Sequence, residues 1–246
     1  MASIDINCDM GEEAGDDEAL MRYISSASIA CGYHAGSEIT MHQTVDLCIK
    51  HGVAIGAHPS FPDRENFGRT EMNLEPAKIY DLVRIQVISL LNIVKKKGAV
   101  LHHVKPHGAL YNMSAKDRQV ADAIANAIQV IDASLILYGL AGSHSLSEAQ
   151  RVGLRTASEV FADRSYQDDG SLTPRKEAGA LIERTEDSLE QVLSMIRENK
   201  VIAKSGKPVP IAAETICVHG DGPHAVEFAK AIHEKLIQQR IDIKTI

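Results

Sequence analysis

Short apolar runs alternate along this chain with longer segments in which apolar residues recur at helical spacing. That rhythm predicts an α/β fold with parallel strands, because parallel neighbours are joined by long crossovers that are usually helical. The pattern places strands over 4–8, 28–32, 53–57, 100–104, 135–140, 155–160 and 211–218. It places helices over 17–25, 38–51, 76–97, 116–130, 145–152, 185–198 and 223–239. In the third helix Ile79, Leu82, Val83, Ile85, Val87, Leu90, Leu91 and Val94 form a broad apolar stripe, as expected of a helix packed on a sheet. Ser145 and Glu148 have the spacing of a capping box, and Gly52 and Gly98 close the helices before them. Residues 161–179, rich in Gly, Pro and charge, read as a long loop of the kind that often carries function. No linker or low-complexity tract interrupts the series, so residues 1–246 form one domain.

Alternation along the strands separates two faces. In the first strand Ile4, Ile6 and Cys8 share the face expected to meet the helices, and Asp5, Asn7 and Asp9 share the face expected to point inward. Four strands then end alike, in a histidine beside a small residue or proline. They are Cys31-Gly32-Tyr33-His34, Ile55-Gly56-Ala57-His58-Pro59, Val104-Lys105-Pro106-His107-Gly108 and Cys217-Val218-His219-Gly220-Asp221. Parallel barrels converge their strand C-termini on one rim, where their active sites lie. Carboxylates, imidazoles and an ammonium are therefore expected at one mouth. Buried charges are costly unless paired or ligand-bound, so such a cluster is a site candidate on energetic grounds. Imidazole and carboxylate suit a divalent transition metal or acid–base work, and lysine suits a developing anion.

Composition narrows the partners. The 246 residues are 44% hydrophobic, enough for a sizeable core, but only 4% aromatic with no Trp, which disfavours a base-stacking surface. The net charge of -7 repels nucleic-acid and anionic membrane surfaces. Cys8, Cys31, Cys48 and Cys217 stand far apart, as expected of reduced thiols in a cytoplasmic protein. No apolar stretch approaches the roughly 20 residues that span a bilayer. Zincin, serine-hydrolase and P-loop motifs are missing from the sequence. The turn Gly139-Leu140-Ala141-Gly142-Ser143 could receive a phosphate, but such turns are common in α/β folds.

The sequence also resembles a known family. Asp5-Ile6-Asn7-Cys8-Asp9-Met10-Gly11-Glu12, Ser28-Ile29-Ala30-Cys31-Gly32-Tyr33-His34-Ala35-Gly36, Gly56-Ala57-His58-Pro59, Phe67-Gly68-Arg69, His103-Val104-Lys105-Pro106-His107-Gly108, Phe161-Ala162-Asp163-Arg164 and Cys217-Val218-His219-Gly220-Asp221 are similar to LamB/YcsF motifs, in order along the whole chain. Ser37 stands where many relatives have Asp, and the stretch from Glu12 to Asp16 is short. The resemblance implies a distorted barrel of about seven parallel strands related to polysaccharide deacetylase barrels. It implies an ATP-dependent 5-oxoprolinase, opening pyroglutamate to glutamate with ATP as co-substrate. Two further subunits, resembling a carboxylase-like amidohydrolase pair, would complete it. On this basis Asp9, His58, Lys105 and His107 are expected to be catalytic. Asn7, His34, Arg164, His219 and Asp221 are expected to face the substrate. Asp9, His58 and His107 could hold a metal in the manner of the deacetylases. A metal-dependent deacetylase or glycan hydrolase, and a non-catalytic scaffold protein, are the rival readings.

Overall fold

Residues 3–218, 220 and 225–246 are described by a computed structural model of the chain. Six parallel strands pair in chain order: β1 (Ser3–Met10), β2 (Ser26–Ala30), β3 (Ala54–His58), β4 (Leu101–Val104), β5 (Ile136–Leu140) and β6 (Arg155–Phe161). An antiparallel hairpin follows, β7 (Lys200–Ile202) with β8 (Pro208–Pro210). β9 (Thr215–Val218) then inserts between β6 and β1 and pairs in parallel with both. The sheet thereby closes into a seven-stranded barrel, and β10 (Asp242–Ile243) adds to β1 at Ser3 and Ile4. The helices are α1 (Asp17–Leu20), α2 (Glu38–His51), α3 (Pro76–Lys96), α4 (Gly108–Lys116), α5 (Arg118–Ile131), α6 (His144–Arg151), α7 (Thr185–Glu198) and α8 (Ala225–Gln238).

The two faces of β1 go where alternation sends them. Ile4, Ile6, Cys8 and Met10 join the apolar core with Val83, Val87, Leu90, Ile124 and Ile128 of α3 and α5. Burying each large side chain of this kind contributes about 1.5–3 kcal/mol, which makes that layer the main source of stability. The other face lines a polar interior. Asp5 accepts hydrogen bonds from Ser25, Ser26 and Thr215 hydroxyls at 2.6–2.7 Å. One level higher, Asn7 Nδ2 donates across the barrel to Glu159 Oε1 at 2.9 Å and Thr215 Oγ1 at 2.8 Å. The His103 ring stacks on Tyr138 with centroids 4.1 Å apart. It fits only because residue 56 is glycine: a Cβ there would overlap the His103 ring.

Several boundaries differ from the expected ones, for local reasons. The helix expected over 116–130 is α5, which starts at Arg118 because Asp117 leaves the helical conformation and caps it through Gln119 and Val120 N–H groups, and α4 before it is not among the expected helices. The helix expected over 17–25 ends at Leu20, and the second strand lies two residues earlier than expected, at Ser26–Ala30. The strand expected over 211–218 reduces to Thr215–Val218. Ser145 is not a cap: α6 starts at His144, Ser145 Oγ bonds Ser114 Oγ at 2.7 Å, and Glu148 pairs with Arg151. Ser37 caps α2 through a reciprocal box with Thr40, a role that Asp could also fill. Residues 223 and 224 of the last expected helix lie outside the described residues. No helix among the described residues is long and apolar enough to cross a membrane.

The long loop after β6 is tied down. Tyr166 is fully buried and its hydroxyl accepts from Phe161 N at 2.8 Å. Arg164, also buried, donates to the carbonyls of Thr173 at 2.5 Å and Ala180 at 3.3 Å.

Candidate active site at the strand C-termini

The strand ends deliver two adjoining groups of side chains to the barrel mouth. The first surrounds Lys105, which follows β4. Its Nζ lies 2.7 Å from Asp9 Oδ1, 2.8 Å from Glu159 Oε1, 2.8 Å from Asn7 Oδ1 and 3.1 Å from Cys217 Sγ. Burial alone would pull the Lys105 ammonium down, but the charges of Asp9 and Glu159 outweigh it and hold the pKa well above its ordinary value. Lys105 is therefore a protonated cation shared between two carboxylates. Burial pushes the Cys217 thiol well up, against the pull of Lys105, so Cys217 is a neutral thiol.

The second group is three imidazoles and a carboxylate. His58 ends β3; its Nδ1 lies 2.7 Å from the Lys105 carbonyl oxygen. His107, the N-cap residue of α4, places Nε2 2.9 Å from the Phe67 carbonyl and Nδ1 2.9 Å from His58 Nε2. His34 comes from the segment between β2 and α2 and stacks on His107 at 3.8 Å, nearly parallel. Its Nδ1 lies 2.8 Å from Ser60 Oγ. Glu12 reaches in from just past β1, where Gly11 turns the chain with φ +69°. Glu12 Oε1 lies 3.0 Å from His34 Nε2, 3.4 Å from His107 Nδ1 and 3.9 Å from His58 Nε2. All four residues are buried, and one donor atom from each falls within 4.8 Å of the others, so the set could hold a metal ion. Gly68 makes room for it: a Cβ there would come within 2.9 Å of both His107 and His34.

Burial, and secondarily the nearby His58, pushes His34 down to about 3. Burial, with His58 and His34 next, holds His107 well below its ordinary value. These imidazoles are neutral at physiological pH, which makes them competent ligands or proton acceptors. Asp9 links the two groups, with Oδ1 on Lys105 and Oδ2 3.4 Å from His58 Nε2.

Of the residues singled out in the sequence, Asn7, Asp9, His34, His58, Lys105 and His107 come together here. Arg164 is directed instead to the carbonyls of its own loop. His219 and Asp221 lie outside the described residues. Beside the expected set of Asp9, His58 and His107, the described residues bring Glu12 and His34 to the same imidazoles, with Asp9 Oδ2 3.4 Å from His58 Nε2. Glu12 and Glu159 are site residues that sequence reasoning does not single out. Glu159 has a readable signal, a lone carboxylate on the strand face that also carries Ala157 and Phe161; Glu12 lies beyond the strand, where alternation no longer applies.

The chain matches the LamB/YcsF family over residues 4–246. It is 50% identical, over the full length of both chains, to a protein of Tolumonas auensis named as the A subunit of 5-oxoprolinase. It is 52% identical to the Staphylococcus haemolyticus protein of the same name, across 99% of each. Among solved structures, a lactam utilization protein from Thermus thermophilus superposes with TM-score 0.93 at 40% identity, covering 99% of this chain and 100% of that one.

Proposed function

The chain belongs to the LamB/YcsF family, and from that membership we propose that it is the A subunit of an ATP-dependent 5-oxoprolinase. The observation that carries this reading is the end-to-end similarity to proteins of that name, at 50% and 52% identity over 100% and 99% of the chain. The reaction takes 5-oxoproline, ATP and two waters to glutamate, ADP and phosphate. A five-membered lactam is a stabilised amide, and transfer of the γ-phosphoryl group to its carbonyl oxygen makes the ring carbon electrophilic. Water attacks that carbon, the ring C–N bond breaks to release the amine, and a second water displaces phosphate from the resulting acyl phosphate.

In this reading Asp9 or His58 orients the attacking water and takes its proton, a role suited to a carboxylate and an imidazole in contact. His107 stands against His58 and completes the pocket beside it. Lys105 keeps Asp9 ionised and places positive charge beneath the anionic oxygens of the intermediate. Asn7 and His34 complete the substrate-facing wall. ATP is the co-substrate of the assembly with its two companion subunits, which this reading places in the cytoplasm.

The test is reconstitution. The chain with its companions should release glutamate from 5-oxoproline only with ATP, and no acetate from acetylated chito-oligosaccharides. Acetate release without ATP, and no glutamate, would hand the site to the deacetylase reading.

A further inference from the structure

We propose that Glu12, His34, His58 and His107 form a tetradentate site for a zinc-like divalent transition-metal ion. The partners of each imidazole place its proton. With its hydrogen on the Phe61 carbonyl at 3.1 Å, Ser60 Oγ accepts from His34 Nδ1 at 2.8 Å. His34 is thereby the Nδ1–H tautomer, with a lone pair on Nε2. His58 Nδ1 faces the Lys105 carbonyl and His107 Nε2 faces the Phe67 carbonyl. A carbonyl only accepts, so both those nitrogens carry the proton. Their other nitrogens, His58 Nε2 and His107 Nδ1, carry lone pairs.

The three lone pairs and the Glu12 carboxylate all point at one another. His58 Nε2 and His107 Nδ1 are 2.9 Å apart, and Glu12 Oε1 lies 3.0, 3.4 and 3.9 Å from His34, His107 and His58. Three imidazole nitrogens and a carboxylate oxygen converging in a buried setting favour a cation among them. Donor atoms around a tetrahedral ion with bonds of about 2.0–2.1 Å stand about 3.3 Å apart, so the cluster needs only small adjustments. The outer contacts are those of a metal centre, in which each ligating imidazole gives its second N–H to a carbonyl or hydroxyl that fixes the ring. Three imidazoles and one carboxylate select zinc, cobalt or nickel over the hard, oxygen-seeking magnesium and calcium ions. When bound, such an ion supplies Lewis-acid polarisation of a carbonyl or water oxygen at the mouth.

This inference goes beyond the ring-opening assignment and is tested apart from it. The full-length chain is stripped with chelator and titrated with Co2+ alone, then with Zn2+ in competition. One equivalent of Co2+ should bind with the strong visible absorption of a four-coordinate ion, and Zn2+ should displace it. Glu12→Gln and His107→Asn should each weaken binding at least tenfold, and Ser60→Ala, which removes only an outer contact, by about 10–100-fold. Should the wild-type chain bind neither ion, the proposal fails, and a proton shared between His58 and His107 satisfies the cluster instead. Undiminished binding by folded Glu12→Gln and His107→Asn variants would equally overturn it by placing the ion elsewhere. The titration needs neither ATP nor companion subunits, so its failure leaves the 5-oxoprolinase reading standing, and the reverse also holds.

Discussion

Lys105 and Glu159, separated by 54 positions in the chain, meet in the barrel interior with Nζ and Oε1 2.8 Å apart. Asp9 holds the other side of the same ammonium. A buried cation between two carboxylates stands or falls as a unit, because removing one member strands the rest in a medium that cannot solvate them. Lys105→Met should therefore cost about 3–5 kcal/mol in urea denaturation. Lys105→Met combined with Glu159→Gln should cost less than the sum of the single variants, by about 0.5–3 kcal/mol. Strict additivity would show that the pair is not coupled.

Gly56 is a second point on which the interior depends. A methyl group at that position would collide with the His103 ring, which is fully buried and stacked on Tyr138 with little room to retreat. Gly56→Ala should lower stability by about 1–3 kcal/mol or more through overpacking. Gly52→Ala makes a useful contrast, since no atom lies within 4 Å of its added Cβ and only the backbone at φ +68° resists. A Gly56→Ala chain as stable as wild type would mean that the His103 ring is free to move.

Arg164 leads to a prediction about the loop rather than the mouth. Its guanidinium bonds the Thr173 and Ala180 carbonyls. Losing those charge-assisted bonds in Arg164→Met should free residues 165–180 to proteases, with cleavage in that stretch at least several-fold faster than in wild type. Unchanged cleavage with reduced substrate affinity would instead support the substrate-facing role expected for Arg164.

The contrast between these residues shows how far the sequence can be read. Alternation places Asp5, Asn7 and Asp9 inside and Ile4, Ile6 and Cys8 outside, because a strand leaves its side chains no other choice. The histidine endings of β3 and of the segment after β4 are legible for the same reason. Glu12 is not, since its position depends on a left-handed turn at Gly11 rather than on any period. His34, expected to end a strand, lies past the end of β2 and reaches the site through a loop. Helix α4 is hidden by Pro106-His107-Gly108, which reads locally as a turn although His107 serves as an N-cap. Arg164 illustrates a further limit: a cation near a strand end can be recruited by backbone carbonyls that sequence gives no means of locating.

Coupling to ATP gives a fourth prediction. Because no nucleotide motif is present in the chain, the isolated protein should hydrolyse no ATP in response to 5-oxoproline. Addition of its companions should switch on both ATP hydrolysis and glutamate release together. Coupled turnover by the chain alone would make it a self-sufficient enzyme.

The central claim is that the imidazole–carboxylate mouth of this chain takes part in opening the lactam, and one measurement tests it most directly. Glutamate release from 5-oxoproline with ATP is compared between complexes reconstituted with the wild-type chain and with Asp9→Ala, His58→Ala or His107→Ala chains of equal folding and assembly. Each variant is expected to lose at least roughly 10²-fold in turnover, the usual weight of an acid–base group. Near-normal turnover by all three would contradict the account and make the chain a scaffold for chemistry done elsewhere.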